Sequence, residues 1–265
     1  MRDGNNSELP FHALFATLGS CYIILIAAML IAGVSFTSPA DLIAALNNAE
    51  IRYAFRLSIL TCTIATILSL WVAVPLAYQL ARFDFRGKSL IEAIVDVPIV
   101  LPPLVVGLLL LILFQTPIGR LTERWIPVTY EIPSVILAQF SVACAFAIRT
   151  LRVTFDQMDS RQEDVARTLG CTRFQAFLRV VLPEATPGII AAATIAWARA
   201  LGEFGPILVF SGATRMKTEV LPTTVFLELS VGNLEAALAV SLLMVIIASV
   251  VLGVARLFGM KGGAW

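Results

Sequence analysis

The chain has 265 residues, of which 58% are apolar and only 14% are Asp, Glu, Lys or Arg, where soluble domains run about 45–50% apolar and about 25% charged. A mean hydropathy of +0.88 and a formal net charge of +1 exclude a disordered chain and argue against a nucleic-acid binder. The single histidine, His12, excludes His-rich metal centres and most histidine-based catalysis. This composition suits lipid as solvent, and the expected fold is an all-α integral membrane protein.

A bilayer-crossing helix needs about 20 predominantly apolar residues. Runs free of Asp, Glu, Lys and Arg lie at 9–40, 57–81, 97–119, 132–148 and 236–255. A sixth apolar stretch, 185–210, is interrupted only by Arg199 and Glu203. The predicted spans are 11–35, 57–81, 90–114, 132–155, 185–210 and 236–259. The first is longer than the apolar core of a signal peptide, about 7–15 residues, and reads as a retained anchor. The whole of 1–265 reads as one membrane domain, in which 1–50 add a span and an outer loop to a core of five spans over 51–260.

Lys and Arg set the orientation, because cytoplasmic loops carry the excess. With the N-terminus inside, twelve fall on the inner side: Arg2, then Arg82, Arg86 and Lys88, then six from Arg149 to Arg179, then Arg256 and Lys261. Six fall outside: Arg52, Arg56, Arg120, Arg124, Arg215 and Lys217. The expectation is a multi-pass protein of the cytoplasmic (inner) membrane with both termini in the cytosol. Cys21, Cys62, Cys144 and Cys171 have no metal-binding spacing and read as small buried apolar residues.

The inner loop 156–184 is too long for a turn and too charged for a span. Ser160-Arg161-Gln162-Glu163 fits a capping box that opens a short helix. Val165, Ala166 and Leu169 share one face, and Gly170 supplies a helix stop. Thr172-Arg173-Phe174-Gln175 is a second capping box, followed by an apolar stripe of Phe174, Phe177, Leu178 and Val181. Pro183 can then open a new helix. The pattern predicts helix, glycine, helix along the inner membrane surface; a pair of plain interfacial amphipathic helices would read the same way.

At this loop the sequence resembles the permease subunits of binding-protein-dependent ABC importers, whose signature is E-A-A, three residues, G, nine residues, I-x-L-P. The matching positions are Asp164-Val165-Ala166, Gly170 and Val180-Val181-Leu182-Pro183, with the spacing kept in full. Asp164, Val165 and Val180 replace Glu, Ala and Ile with residues of similar character. The string Ala198-Arg199-Ala200-Leu201-Gly202-Glu203-Phe204-Gly205 is similar to the fifth helix of the molybdate, tungstate and sulfate permeases. Pro98, Leu101-Pro102-Pro103 and Gly107 resemble a pattern of the same subfamily.

The resemblance implies a type I importer permease of six transmembrane helices, with cytosolic coupling helices between spans four and five. It implies four partners: a second copy of the chain, a cytosolic ATPase dimer, an external solute-binding protein and membrane lipid. ATP and magnesium would reside on the ATPase, with no catalytic residue, metal or cofactor on this chain. The coupling residues it implies are Asp164, Val165, Ala166, Leu169, Gly170, Phe174, Leu182 and Pro183, with Arg161, Arg167 and Arg173 as a polar rim. For the translocation path and gate it implies Pro102, Pro103, Arg199, Gly202, Glu203, Phe204 and Gly205. Gly87-Lys88-Ser89 imitates the end of a phosphate-binding loop, but G-x-x-x-x-G-K-S/T requires glycine where the chain has Arg82.

Arg199 and Glu203 are also informative without the resemblance. A charge at mid-bilayer costs about 2.5–3.5 kcal/mol on insertion scales, and four residues of helix bring the two side chains to one face. They read either as flanking a water-filled path or as a self-neutralising packing pair. The small residues of 185–196 permit close helix approach, suited to a subunit contact or a narrow pore wall. Pro75, Pro98, Pro102 and Pro103 break backbone hydrogen bonds that other groups must replace. The leading functional reading is oxyanion import, molybdate or tungstate before sulfate or thiosulfate. An ABC permease for another solute and a non-transporting membrane scaffold are the alternatives.

Overall fold

A computed structural model describes the backbone of residues 8–260 and the side chains of 14–256. Arg2 and Lys261 of the charge count lie outside the described residues. In chain order the helices are α1 (Glu8–Ser35), α2 (Pro39–Asn47), α3 (Ala49–Arg82), α4 (Lys88–Val100), α5 (Pro103–Gln115), α6 (Pro117–Glu123) and α7 (Ile132–Gln157). They continue with α8 (Arg161–Thr168), α9 (Arg173–Ala176), a wide π turn at Phe177–Val181, α10 (Leu182–Glu184) and α11 (Thr186–Leu201). A second π turn at Ile207–Ser211 precedes α12 (Leu221–Ser230) and α13 (Leu234–Met260).

Among the described residues, four helices are long and apolar enough to cross a membrane: Leu14–Ser35, Ala49–Arg82, Ile132–Gln157 and Leu234–Arg256. Two bent pairs raise the number to six. The predicted first, second, fourth and sixth spans are therefore continuous helices. The predicted third span, 90–114, is not: α4 and α5 meet at 114°. The cause is Leu101-Pro102-Pro103, where two consecutive prolines supply no N–H to continue the ladder. The predicted fifth span, 185–210, is also broken. A 70° bend separates Arg173–Glu184 from α11, and α11 itself ends at Leu201, before Gly202-Glu203-Phe204.

The core is a three-helix crossing of α3, α7 and α11 packed on small residues. Ala65, Ala73 and Ala77 of α3, Ala143 and Ala147 of α7, and Ala192, Ala196 and Ala200 of α11 are all fully buried. Alanines four apart line one helix face, so the backbones close up where larger side chains would hold them apart. At Gly188 a Cβ would lie 2.3 Å from the Thr154 methyl, so α11 and α7 touch there. A second cluster gathers Leu57, Val128, Val135, Ala138, Val220, Ile207 and Phe210 around the second π turn. Helix α1 stands off this core, with apolar side chains such as Leu18, Tyr22 and Ile31 more than 60% exposed. Cys62 and Cys144 are buried as expected, but Cys21 is exposed on α1 and Cys171 is half-exposed in the loop after Gly170.

The two broken spans interlock. A Cβ on Gly107 of α5 would sit 2.7 Å from Pro206 Cα, and one on Gly205 would sit 2.8 Å from Pro103 Cβ. Each glycine thus accepts the other segment's backbone. Gly107→Ala must push that backbone aside, an overpacking that costs roughly 1–3 kcal/mol. Gly253→Ala on α13 meets nothing within 4 Å. The expected outcome in detergent is a lower thermal midpoint for the first variant and a wild-type midpoint for the second; equal midpoints would refute the interlock.

Candidate functional site

The loop between α7 and α11 has the helix, glycine and helix that the sequence suggests, but its first cap and its apolar stripe differ. Helix α8 ends in a Schellman motif: Gly170 N–H donates to Arg167 O and Cys171 N–H to Ala166 O, both at 3.1 Å. Gly170 has φ +91°, a conformation that side-chain-bearing residues rarely adopt. The Thr172–Gln175 capping box is present. The Ser160–Glu163 box is not, because Ser160 is helical and makes no side-chain cap. Arg161 N–H donates instead to Asp159 at 3.0 Å, and Glu163 turns inward to accept a 2.7 Å hydrogen bond from the Tyr78 hydroxyl.

That inward turn leaves the other face of the loop free. Val165, Leu169 and Phe174 are 56%, 81% and 70% exposed. Asp164 and Arg167 pair beside them at 3.5 Å. Ala166 and Leu182 are half-buried, and Pro183 is exposed. The expected apolar stripe divides: Phe174 and Leu178 face outward, while Phe177 and Val181 pack inward. Arg173, expected in the polar rim, lies over the Phe83 ring at 5.0 Å.

Sequence reasoning missed the inward anchor altogether. The Tyr78 ring packs against Phe83, Phe155 and Phe177 with centroids 6.0, 5.7 and 4.7 Å away. Arg82 donates to Met158 O at 3.0 Å. Apart from Tyr78–Phe83 these contacts join residues far apart in the chain, which no local pattern in the sequence reveals. Gly87-Lys88-Ser89, the phosphate-loop look-alike, follows helix α3 and opens α4; Lys88 pairs with Asp84 at 2.9 Å.

Mid-chain, the structure brings the predicted path residues together at the interlocked breaks. Pro103 meets Gly205, and Phe204 packs on Phe226 with centroids 5.4 Å apart. Arg199 and Glu203 meet at 3.0 Å, off the hydrogen-bonding direction. Glu203 is buried beyond the end of α11, whereas the Arg199 side chain is one-third exposed. The guanidinium also lies over the Phe146 ring of α7 at 5.6 Å, an attraction a desolvated cation gains from an aromatic face. Pro102, at the α4–α5 break, and Gly202, at the α11 end, are exposed.

The opposite end of the bundle is tied by the 212–220 loop. Arg215 bridges Glu50 of α3 and Glu228 of α12, the latter at 2.9 Å. Burial works against the Arg215 cation, but the two carboxylates outweigh it and raise its pKa. Lys217 reaches Glu131 before α7 at 2.5 Å, and its carbonyl accepts from the Tyr53 hydroxyl at 3.1 Å. Glu219, within this loop, is fully buried. Burial pushes its carboxyl above the ordinary range, against the opposing pull of Thr224 and Arg215.

Residues 65–261 match the family of binding-protein-dependent transport system inner membrane components. The chain is 42% identical over 200 residues to the molybdate/tungstate transport system permease protein of Pyrococcus abyssi, covering 74% of this chain and 76% of that one. It is 39% identical over 212 residues to a probable molybdenum ABC transporter permease of Haloferax volcanii, covering 80% and 77%. Identity to the sulfate transport system permease of Escherichia coli is 31% over 201 residues, covering 74% and 72%. A chain from the crystal structure of a bacterial alginate ABC transporter, in complex with its alginate-bound periplasmic protein, shares the fold. Its TM-score is 0.76 at 16% identity, over 94% of this chain and 93% of that one.

The Arg199–Glu203 geometry makes a double-variant experiment decisive. Glu203→Gln strands a partly desolvated cation, a loss of about 3–5 kcal/mol for a buried pair broken on one side. The expected outcome is a sharp fall in folded yield for Glu203→Gln. Recovery is expected in Arg199→Gln with Glu203→Gln, where no lone charge remains. Wild-type yield in the single variant would show that water reaches the pair.

Proposed function

The chain belongs to the binding-protein-dependent transport system inner membrane components, and from that premise we propose that it is the permease subunit of an ATP-driven importer for molybdate or tungstate. The observation that carries the substrate class is the 42% identity to a molybdate/tungstate permease. A second reading, sulfate, has 31% identity to a sulfate permease behind it. Import of another solute, and a scaffold role without transport, are outcomes of the test below.

In this reading the chain lies in the cytoplasmic membrane with both termini and the 158–184 loop in the cytosol. It works with a second copy of itself, an ATPase dimer that holds ATP and magnesium, and an external solute-binding protein. The chain hydrolyses no ATP itself. Its loop supplies the coupling surface: Val165 and Leu169, on and at the end of the glycine-terminated α8, and Phe174 on α9 are exposed large apolar side chains. Such a face gains by entering an apolar groove, with Asp164 and Arg167 at the rim. Gly170 fixes the turn between the docking helices, and Leu182 and Pro183 lead the loop into α11.

The breaks in the third and fifth spans are the elements that move. Non-helical backbone is tolerated at membrane depth only against protein or a water-lined cavity. The segment Gly202–Gly205, with Arg199 and Glu203 beside it and Pro103 and Leu104 against it, meets that condition. A dianion crossing there would find the partly exposed Arg199 guanidinium, paired on its buried side with Glu203.

The test is uptake into proteoliposomes holding the chain, its ATPase and its binding protein. Labelled molybdate and tungstate should accumulate with ATP on the ATPase side, with sulfate tenfold slower or worse, a barrier difference of about 1.4 kcal/mol. Leu169→Glu should abolish uptake and ATPase retention while leaving the thermal midpoint of the chain alone unchanged, since that side chain touches little within the chain. Sulfate accumulation at the molybdate rate would move the assignment to the second reading. Uptake of neither, by a complex that still hydrolyses ATP, would remove oxyanion import.

A further inference from the structure

We propose that the hydrogen bond between Tyr78 and Glu163 is the link that delivers movement of the 158–184 loop to α3, with Pro75 as the hinge. The inference rests on the reading of that loop as the ATPase contact. It assigns Tyr78, Glu163 and Pro75 positioning roles that neither the loop signature nor the path residues contain.

The bond joins residues 85 positions apart at 2.7 Å and is buried from water. Tyr78 is 8% exposed and Glu163 is 9% exposed. Packing alone does not require it, since a phenylalanine would fill the same space among Phe83, Phe155 and Phe177. The hydroxyl serves the carboxylate specifically, and a hydrogen bond to an ionised oxygen is short, strong and directional. Glu163 for its part forgoes the capping role its position would give it at the start of α8. Two polar residues thus abandon the simpler choice to meet each other.

What they connect is informative. Helix α8 presents Val165, Leu169 and Asp164 outward on one side and Glu163 inward on the other. A partner that displaces α8 through its outer face therefore displaces Tyr78 with it. Tyr78 lies three residues after Pro75, which lies inside α3 and supplies no N–H to the Trp71 carbonyl, so the helix ladder is weakest there. Beyond Pro75, residues 76–82 form a segment of about 10 Å at 1.5 Å per residue. That segment is fastened to the loop by Tyr78 and by Arg82, which donates to Met158 O at 3.0 Å. The aromatic ring of Phe83 continues the attachment beneath Arg173 at 5.0 Å. Ahead of Pro75, Ala65 and Ala73 hold α3 in the alanine crossing with α7 and α11, and the crossing reaches past the proline only through Ala77 and the buried Leu80. The geometry is a short lever fastened to the loop, a weak point in the backbone, and a rigid core.

The experiment is hydrogen–deuterium exchange on the complex of the full chain with its ATPase, with and without a non-hydrolysable ATP analogue. In the wild type, nucleotide should change exchange both in 161–169 and in 76–82. Tyr78→Phe should keep the response of 161–169 and lose that of 76–82, because the ring remains and only the link is cut. Glu163→Gln, whose amide oxygen still accepts the hydroxyl, should keep both. A merely structural bond would raise exchange at 76–82 equally with and without nucleotide, leaving the difference intact in Tyr78→Phe; that result overturns the proposal. So does a wild-type segment 76–82 that ignores nucleotide while 161–169 responds. Silence in both segments would overturn the ATPase contact itself, and is thereby distinguished from failure of the link alone.

Discussion

Within a bilayer no water satisfies the backbone, so each departure from helix must be covered by other parts of the protein. The third and fifth spans of this chain depart from helix at Leu101–Pro102 and at Gly202–Phe204, and the residues that follow the two breaks pack on each other. Gly107 lets Pro206 approach and Gly205 lets Pro103 approach, at distances where a single methyl group has no room. The rest of the architecture follows from this contact. The second π turn lies against α5 and α7, Phe114 packs on Phe210 with centroids 5.3 Å apart, and the Arg199–Glu203 pair is held where α11 ends.

The two ends of the bundle are fastened in different ways, and the difference suits their proposed tasks. At the 212–220 end the ties are ionic: Arg215 to Glu50 and Glu228, and Lys217 to Glu131. They join α3, α12 and the start of α7 through one loop. At the 158–184 end the ties are chiefly aromatic contacts, with a buried hydroxyl–carboxylate bond, the Arg82 bond to Met158 O and Arg173 stacked on Phe83. Partly exposed ion pairs are individually weak and sensitive to salt. A packed aromatic cluster moves as a body, because close-packed interiors transmit displacement rather than absorb it. In the proposed reading the loop end passes movement inward, and Leu169 and Phe174 are the exposed apolar side chains that would receive it.

Much of this was legible in the sequence, for physical reasons. Four spans could be found because an uncharged apolar run of about 20 residues matches the thickness of a bilayer core and exceeds what most soluble helices bury. Gly170 was legible because a glycine after an amphipathic turn is the commonest helix stop, and the Arg199–Glu203 contact followed from the spacing of four. The 114° turn at Leu101-Pro102-Pro103 was not legible. Prolines announce a missing hydrogen bond, but the angle is set by what the freed segments pack against, here Gly205 and Pro206, far away in sequence. The Ser160–Glu163 capping box was overruled for a similar reason: a local rule assigned Glu163 to its own helix end, and Tyr78 offered a better partner in a buried site. The 212–220 network was hidden because Arg215 and Lys217 entered the sequence argument only as charges to be counted.

The central claim is that the third and fifth spans are broken and interlocked. It is tested by cysteines at Phe114 and Phe210, introduced in a chain whose four native cysteines are replaced, and treated in membranes with a short bifunctional maleimide. The interlock predicts rapid cross-linking within one chain. A third span that ran straight through Leu101–Pro103 would carry residue 114 away from residue 210. Both cysteines would then react singly without joining, and the account would be wrong.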